Sequence, residues 1–129
     1  MDIVSDTNIF LAVVLDEPEK ANIIRLTAET TVIAPEILPY EMGNALTAMV
    51  KRKQITHGEA LSAFTAANSI PARLISVDIR QALELALEYD IYAYDAYFLQ
   101  CAKKLSCPLI TLDKRMKQIS SALKIEVLE

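Results

Sequence analysis

Four acidic residues stand at the ends of apolar segments, where a charged side chain is costly to bury. Asp6 and Asp113 each follow a short apolar run, while Glu41 and Asp95 lie near the starts of helical segments. Apolar residues surround Asp95, and no basic residue nearby offers it an ion pair. Clustered carboxylates repel one another unless a cation joins them, and oxygen-only ligands suit Mg²⁺ or Mn²⁺ rather than zinc. The four acids therefore indicate a divalent metal site.

Taken singly, each acid also has a structural explanation. Asp6 and Asp113 could cap the helices that follow them, and Glu41 could complement a helix dipole. Taken together, the four acids favour a functional cluster. Two divalent ions about 4 Å apart can activate water and stabilise the leaving oxygen in phosphodiester hydrolysis. Hydrolysis of that bond is the chemistry that the pattern predicts.

Short apolar strands separated by helices must position these acids. We predict strands at residues 2–5, 31–34, 73–77, 109–112 and 125–128, and helices at residues 8–15, 17–28, 40–53, 56–68, 78–89, 94–105 and 113–123. This order predicts an α/β fold, with a parallel sheet covered on both faces. Thr56 and Glu59 form a capping box, and Asp78 is expected to cap the fifth helix.

Ligands of such folds bind beyond the carboxyl ends of the strands. Asp6 and Asp113 both reach that crevice if their strands are neighbours. Because side chains alternate along a strand, Thr111 lies on the same side as Asp113. The sequence therefore predicts that these residues meet at one edge of the sheet.

The composition indicates one globular domain spanning residues 1–129. Hydrophobic residues make up 53% of the chain and charged residues 23%. The first residues lack the basic segment of a signal peptide, and no apolar run is long enough to cross a bilayer, so we expect a cytoplasmic protein with no membrane partner. Cys101 and Cys107 match no metal motif and are expected to be buried thiols. The net charge of −4 argues against nucleic-acid binding unless bound metal neutralises several acids.

Four segments carry a resemblance to a known family. "SDTNIF", "YEMGNAL", "YDAYFLQCA" and "LITLDKRM" resemble, in order and spacing, the acidic motifs of the PIN-domain nucleases. Length and coverage are most similar to the VapC-type toxins of toxin–antitoxin pairs. The resemblance implies a three-layer α/β/α sandwich with a five-stranded parallel sheet in the order 3-2-1-4-5. That order makes the first and fourth strands neighbours, as the placement of the acids requires.

The resemblance also implies an activity. It implies an Mg²⁺- or Mn²⁺-dependent endoribonuclease, usually a homodimer, that is inhibited by a small antitoxin protein. By motif match, the catalytic and metal-binding residues are Asp6, Glu41, Asp95 and Asp113. Asn8 and Thr111 match the polar companions of the site, and Asn8 is expected to bond a carboxylate or water. Water is expected to attack phosphorus in line, which leaves a 5′-phosphate and a 3′-hydroxyl.

One departure from the family concerns a fifth acid, which some members carry shortly after the fourth motif. Met116 and Gln118 stand there in this chain, so four acids are counted and the second metal site stays open.

Other residues are candidates for contact with RNA or with a second copy. Lys114, Arg115 and Lys117 follow Asp113 closely and are the predicted RNA-binding residues. Tyrosines between residues 89 and 97 could stack bases, although packing is expected for at least two of them. Apolar residues of the helices within 40–68 are expected to form a self-association surface, namely Leu46, Met49, Val50, Leu61 and Phe64.

Two alternative functions remain. A phosphoacceptor signalling domain of flavodoxin-like type also gathers acids at strand ends. It would need strict strand–helix alternation and an acceptor after the third strand, whereas two consecutive helices and a capping Asp78 are predicted here. The other alternative is a catalytically idle PIN-like binding module, against which the intact set of four acids argues.

Overall fold

A parallel sheet of four strands forms the centre of the molecule, in a computed structural model that describes residues 1–129. The strands are β1 (Asp2–Ser5), β2 (Thr31–Pro35), β3 (Arg73–Ile75) and β4 (Leu109–Ile110). Their order is β3-β2-β1-β4, and every neighbouring pair is parallel. The predicted adjacency of the first and fourth strands is therefore confirmed.

The predicted fifth strand is not a strand. Near the C-terminus, the chain meets the sheet edge in a single parallel bridge between Leu109 and Val127. The Leu109 N–H donates to the Glu126 carbonyl at 2.8 Å, and the Leu128 N–H donates to the Leu109 carbonyl at 2.9 Å. Because β4 is only two residues long, the C-terminal segment pairs with it through one bridge and not through a longer ladder. The expected five-stranded sheet is thus a four-stranded sheet with one bridge beyond its edge.

Seven helices complete the fold. They are α1 (Thr7–Val14), α2 (Lys20–Thr27), α3 (Leu38–Lys51), α4 (His57–Asn68), α5 (Ile79–Tyr89), α6 (Ala93–Leu105) and α7 (Lys114–Ala122). Helix α4 begins with the predicted capping box of Thr56 and Glu59, and Asp78 caps α5 by accepting from the Gln81 N–H at 3.0 Å. The consecutive helices α3 and α4 break strict strand–helix alternation, as predicted.

Helices cover both faces of the sheet, because neighbouring residues of one strand enter different cores. Val4 of β1 belongs to the larger hydrophobic cluster, whereas Ile3 belongs to a smaller one. Leu109 and Ile110 of β4 are divided in the same way. The three-layer α/β/α arrangement is therefore confirmed. No helix combines the length and the apolar character needed to span a bilayer.

Candidate active site

Strand pairing brings the first and fourth acidic motifs together. Ser5 is paired with Ile110 at the ends of β1 and β4, and the Asp6 N–H donates to the Ile110 carbonyl at 3.0 Å. Both chains then turn into helices at the carboxyl edge of the sheet. Asp6 is the N-terminal cap of α1 and Asp113 is the N-terminal cap of α7. Both acids therefore lie at the carboxyl edge of the sheet, where these two helices begin.

Asp6 is the most deeply buried of the four acids, with 5% of its surface exposed. One carboxylate oxygen accepts from the Thr7 N–H at 2.8 Å, and the other accepts from the Thr111 hydroxyl at 2.7 Å. Burial raises the pKa of Asp6 to about 6; the two hydrogen bonds oppose that rise, and the charges on Asp95 and Glu41 add to it. The cost of burial therefore exceeds what the two hydrogen bonds recover.

Glu41 lies in the first turn of α3 and is half-buried. Its Oε2 accepts from the Thr7 hydroxyl at 2.9 Å, so one residue orients two acids: its N–H holds Asp6 and its hydroxyl holds Glu41. Burial raises the pKa of Glu41, the bond from Thr7 lowers it, and the charge on Asp95 raises it further. Thr7 was missed from the sequence, although it directly follows Asp6 in "SDTN" and carries a hydroxyl.

Asp95 and Asp113 complete the cluster. Asp95 lies in the first turn of α6, where burial raises its pKa and the charge on Asp113 raises it further. Asp113 is oriented by the Met116 N–H, which donates to its Oδ1 at 3.1 Å, and its own N–H donates to the Thr111 hydroxyl at 3.1 Å. Thr111 therefore links Asp6 to the backbone of Asp113.

The four carboxylates interact with one another and with no cation of the protein. The charges on Asp95 and Glu41 raise the pKa of Asp6. The charge on Asp95 raises the pKa of Glu41, and the charge on Asp113 raises the pKa of Asp95. The ion pairs of the protein lie elsewhere, between Lys20 and Asp16, Arg80 and Glu84, and Lys117 and Glu129. The structure thus brings the four predicted acids to one edge of the sheet with their mutual repulsion uncompensated by a basic side chain.

The cluster is open rather than a closed ligand set. No three His, Cys, Asp or Glu side chains are arranged closely enough to form a metal-binding group. The Thr7 hydroxyl donates to Glu41, and the Thr111 hydroxyl donates to Asp6. The chemistry of the donors nevertheless fits a hard cation, because every acid offers carboxylate oxygen and carries uncompensated charge.

Asn8 differs from its predicted role. Its side-chain oxygen accepts from the Leu112 N–H at 3.3 Å, and Asn8 makes no hydrogen bond to a carboxylate. The bond joins the start of α1 to the residue before Asp113, because β1 and β4 end side by side. Asn8 therefore holds the first and fourth motifs together. Of the two expected partners, a carboxylate or water, the carboxylate makes no hydrogen bond to Asn8, and the bond to water stays a prediction.

The three basic residues after Asp113 differ in their surroundings. Arg115 donates to the Tyr89 carbonyl at 2.9 Å, which ties the start of α7 to the end of α5. Lys117 lies 3.9 Å from a carboxylate oxygen of Glu129. Lys114 is exposed and makes no bond to another side chain. Of the three predicted RNA-binding residues, Lys114 is thus the one whose side chain makes no hydrogen bond or ion pair within the protein.

The expected self-association surface is only partly exposed. Leu46 is 3% exposed and belongs to the core, whereas Leu61 is 73% exposed. Between α3 and α4 lies a cavity of about 590 Å³ that both residues line, with Val50 and Phe64. A second apolar stripe, which the sequence analysis missed, runs along α5 and consists of Ile79, Leu83 and Leu87. Their spacing of four residues is the signal that could have found it.

Comparisons with known proteins identify the fold. The family model of the PIN domain matches residues 3–122. PAE2754 from Pyrobaculum aerophilum is similar with a TM-score of 0.68 and 16% identity, over 96% of this chain and 90% of that chain. VapBC2 from Rickettsia felis, bound to a DNA fragment from their promoter, gives a TM-score of 0.68 and 19% identity over 100% of this chain and 98% of that chain. A toxin–antitoxin complex from Klebsiella pneumoniae gives 0.54 and 20% identity over 86% of each chain. A search of curated proteins finds no match.

Proposed function

The chain belongs to the PIN domain family, and from that premise we propose that it is a metal-dependent endoribonuclease, the toxin of a toxin–antitoxin pair. The proposed substrate is RNA, and the proposed cofactor is Mg²⁺ or Mn²⁺. The observation that carries the proposal is the set of four carboxylates at one sheet edge, which repel one another and meet no basic side chain. That arrangement is costly unless a cation is the intended partner.

The proposed ligands are Asp6, Glu41, Asp95 and Asp113. A bound divalent ion would supply Lewis-acid stabilisation of the phosphate and would lower the pKa of water in the site. The protein's own part is orientation: Thr7 fixes Asp6 and Glu41, and Thr111 fixes Asp6 relative to Asp113. These hydrogen bonds set the positions of three of the four acids, and Asp6 is buried away from solvent.

The proposal is tested by cleavage of RNA with purified protein. We expect cutting in Mg²⁺ or Mn²⁺, no cutting in chelator, and products with a 5′-phosphate and a 3′-hydroxyl. Asp95→Asn is expected to abolish cutting with the fold intact, because it removes charge from the middle of the cluster. Asp78→Asn is the matched control, since Asp78 also begins a helix but lies outside the cluster and caps α5.

Two outcomes would contradict the proposal. If Asp95→Asn cuts RNA as well as the parent, the assignment of the site is wrong. If the parent cuts equally well in chelator, the divalent ion has no part in the reaction.

The proposed protein partner is a small antitoxin, and the proposed assembly is a homodimer. The antitoxin is supported by the fold that this chain shares with VapBC2 of Rickettsia felis and with the Klebsiella pneumoniae toxin–antitoxin complex. The homodimer is supported by the exposed Leu61 beside the apolar cavity between α3 and α4. An amphipathic helix in an apolar groove is the expected mode of antitoxin binding. A short reading frame upstream of this gene should encode the antitoxin, and its co-expression should relieve growth arrest caused by this chain. Arrest that the Asp95→Asn variant also causes would argue against toxicity by RNA cleavage.

A further inference from the structure

A cavity of about 450 Å³ lies where β2 and β3 end, beside the acidic cluster. Six residues line it, namely Glu36, Ile37, Tyr40, Val77, Ile79 and Tyr97. The Glu36 N–H donates to the Ile75 carbonyl at 2.8 Å, which places the cavity at the carboxyl edge of the sheet. The cavity therefore opens on the same edge as the four acids.

The two tyrosines connect this cavity to the site. Tyr40 directly precedes Glu41, and consecutive Cα atoms are about 3.8 Å apart. Tyr97 follows Asp95 by two residues, which is about 3 Å along the axis of α6. Because residues one or two positions apart point to different faces of a helix, the two rings lie near the acids along the axes of α3 and α6 but on other faces of these helices. The cavity would therefore take a nucleotide next to a phosphate held at the acids, and not that phosphate itself.

We propose that this cavity, called here the tyrosine pocket, binds a guanine base of the substrate next to the scissile phosphate. The inference rests on the proposed ribonuclease function and names the base which that site selects. Tyr40 is 77% exposed, so its ring is available for stacking. Tyr97 is held in place by Tyr94, whose ring meets it edge-on at a centroid distance of 6.0 Å and an angle of 78°.

Glu36 gives the pocket its preference for guanine. It is the single charged residue among the six, and its carboxylate only accepts hydrogen bonds. Guanine presents two adjacent donors, N1–H and the N2 amino group, which match the two oxygens of a carboxylate. Uracil presents one donor between two carbonyl oxygens, and these would repel Glu36. A purely apolar side chain from another protein would instead bury Glu36 without any partner, which is unfavourable.

The test measures binding of short oligoribonucleotides to the Asp95→Asn variant in Mg²⁺, so that RNA is not consumed. One probe is a uridine oligonucleotide carrying a single guanosine, and the other contains uridine alone. Tyr40→Ala and Tyr97→Ala, each added to Asp95→Asn, should weaken binding of the guanosine probe between about 5-fold and about 150-fold. Tyr92→Ala is the matched control, because Tyr92 is 84% exposed and lies outside the pocket.

Glu36→Gln separates base choice from stacking. It should remove most of the preference for the guanosine probe over uridine, a factor expected between about 5 and about 150. Binding of the uridine probe should change little, since both tyrosines remain. An unchanged preference in this variant would overturn the assignment of guanine to Glu36.

The remaining outcomes show separately whether the tyrosine pocket binds guanine, whether the protein cuts RNA, and whether a second copy of the chain occupies the pocket instead. If both tyrosine variants bind as the parent does while the parent cuts RNA, the pocket is refuted and the ribonuclease stands. If tyrosine-dependent guanosine binding occurs in a protein that cuts no RNA, the pocket stands and the ribonuclease falls. Light scattering is run on every variant. If Tyr40→Ala dissociates a parental dimer, the pocket holds a second copy and the inference is overturned.

Discussion

Replacing Asp6 by Asn should stabilise the protein when divalent metal is absent. The pKa of Asp6 lies at about 6 in the folded state, against 3.8 for an exposed Asp. That difference corresponds to about 3 kcal/mol of unfolding free energy, which the parent loses once the carboxyl is ionised. An amide carries no charge, so it avoids both the burial of an anion and the repulsion from Asp95 and Glu41.

The hydrogen bonds of Asp6 offset part of this gain. Its two carboxylate oxygens accept from the Thr7 N–H and from the Thr111 hydroxyl. Asn keeps one acceptor, and its amino group obliges the Thr111 hydroxyl to accept rather than donate, at a cost of about 1 kcal/mol. The net gain is therefore about 2 kcal/mol, which in a domain of this size raises the melting temperature by roughly 5–10 °C.

The stability difference between the parent and Asp6→Asn should depend on pH. Between about pH 4 and pH 6, folded Asp6 keeps its proton while the unfolded carboxyl has lost it, so the parent loses stability as the pH rises. Above about pH 7 the loss is complete and constant. Urea unfolding of parent and Asp6→Asn in chelator should therefore show a difference that is small near pH 4.5 and largest at pH 7–8.

Asp78→Asn is the control for the capping role. Asp78 caps α5 through the Gln81 N–H, as Asp6 caps α1 through the Thr7 N–H. Because Asn caps a helix about as well as Asp, this variant should match the parent at every pH. A parent that is at least as stable as Asp6→Asn at pH 7 in chelator would refute the reasoning and leave Asp6 as a simple cap.

Divalent metal should reverse the order of stability. At a hundredfold excess of Mg²⁺ over its dissociation constant, the parent should gain about 2.7 kcal/mol. Asp6→Asn should gain much less, because it lacks one of the four charges that attract the ion. A parent whose melting temperature is indifferent to Mg²⁺ and to Mn²⁺ would contradict the proposed metal site.

Three further predictions concern Thr111, the glycine of α3 and self-association. Thr111→Val leaves an Asp6 oxygen and the Asp113 N–H without a partner, so urea unfolding should show a loss of about 1–3 kcal/mol, and an unchanged midpoint would contradict the bridge. Gly43→Ala should gain about 1 kcal/mol in thermal unfolding, because its Cβ would meet no atom within 4 Å, and a loss would contradict this. Leu61→Glu should convert a dimer into a monomer in light scattering, and a monomeric parent at micromolar concentration would refute the α3–α4 surface.

Local signals predicted most of the fold. Thr56 with Glu59, and Asp78 alone, fixed the starts of α4 and α5 because capping depends on residues within one turn. The C-terminal segment was predicted as a strand because residues such as Ile125 and Val127 favour that state. Its actual conformation depends on β4, which is only two residues long and cannot extend the ladder. The length of β4 cannot be predicted from the sequence of the C-terminal segment.

The membership of the acidic cluster was predictable, but its hydrogen bonds were not. Two acids after parallel strands and two at helix starts point to one sheet edge whatever the side-chain conformations are. Whether Asn8 bonds a carboxylate or the Leu112 N–H depends on a few ångströms of strand register. The position of Thr7 between Asp6 and Glu41 likewise depends on how α1 meets α3, a contact between residues 34 positions apart in the chain.

The capping and metal-binding explanations of the acids describe one arrangement. Asp6 and Asp113 cap α1 and α7, while Glu41 and Asp95 lie in the first turns of α3 and α6. Four helix N-termini therefore point at the cluster, and each favours a nearby negative charge by about 0.3–1 kcal/mol. These contributions keep four carboxylates together without a basic side chain, which would compete with a metal ion for the same oxygens. Burial still outweighs them, since the pKa of Asp6 is raised to about 6.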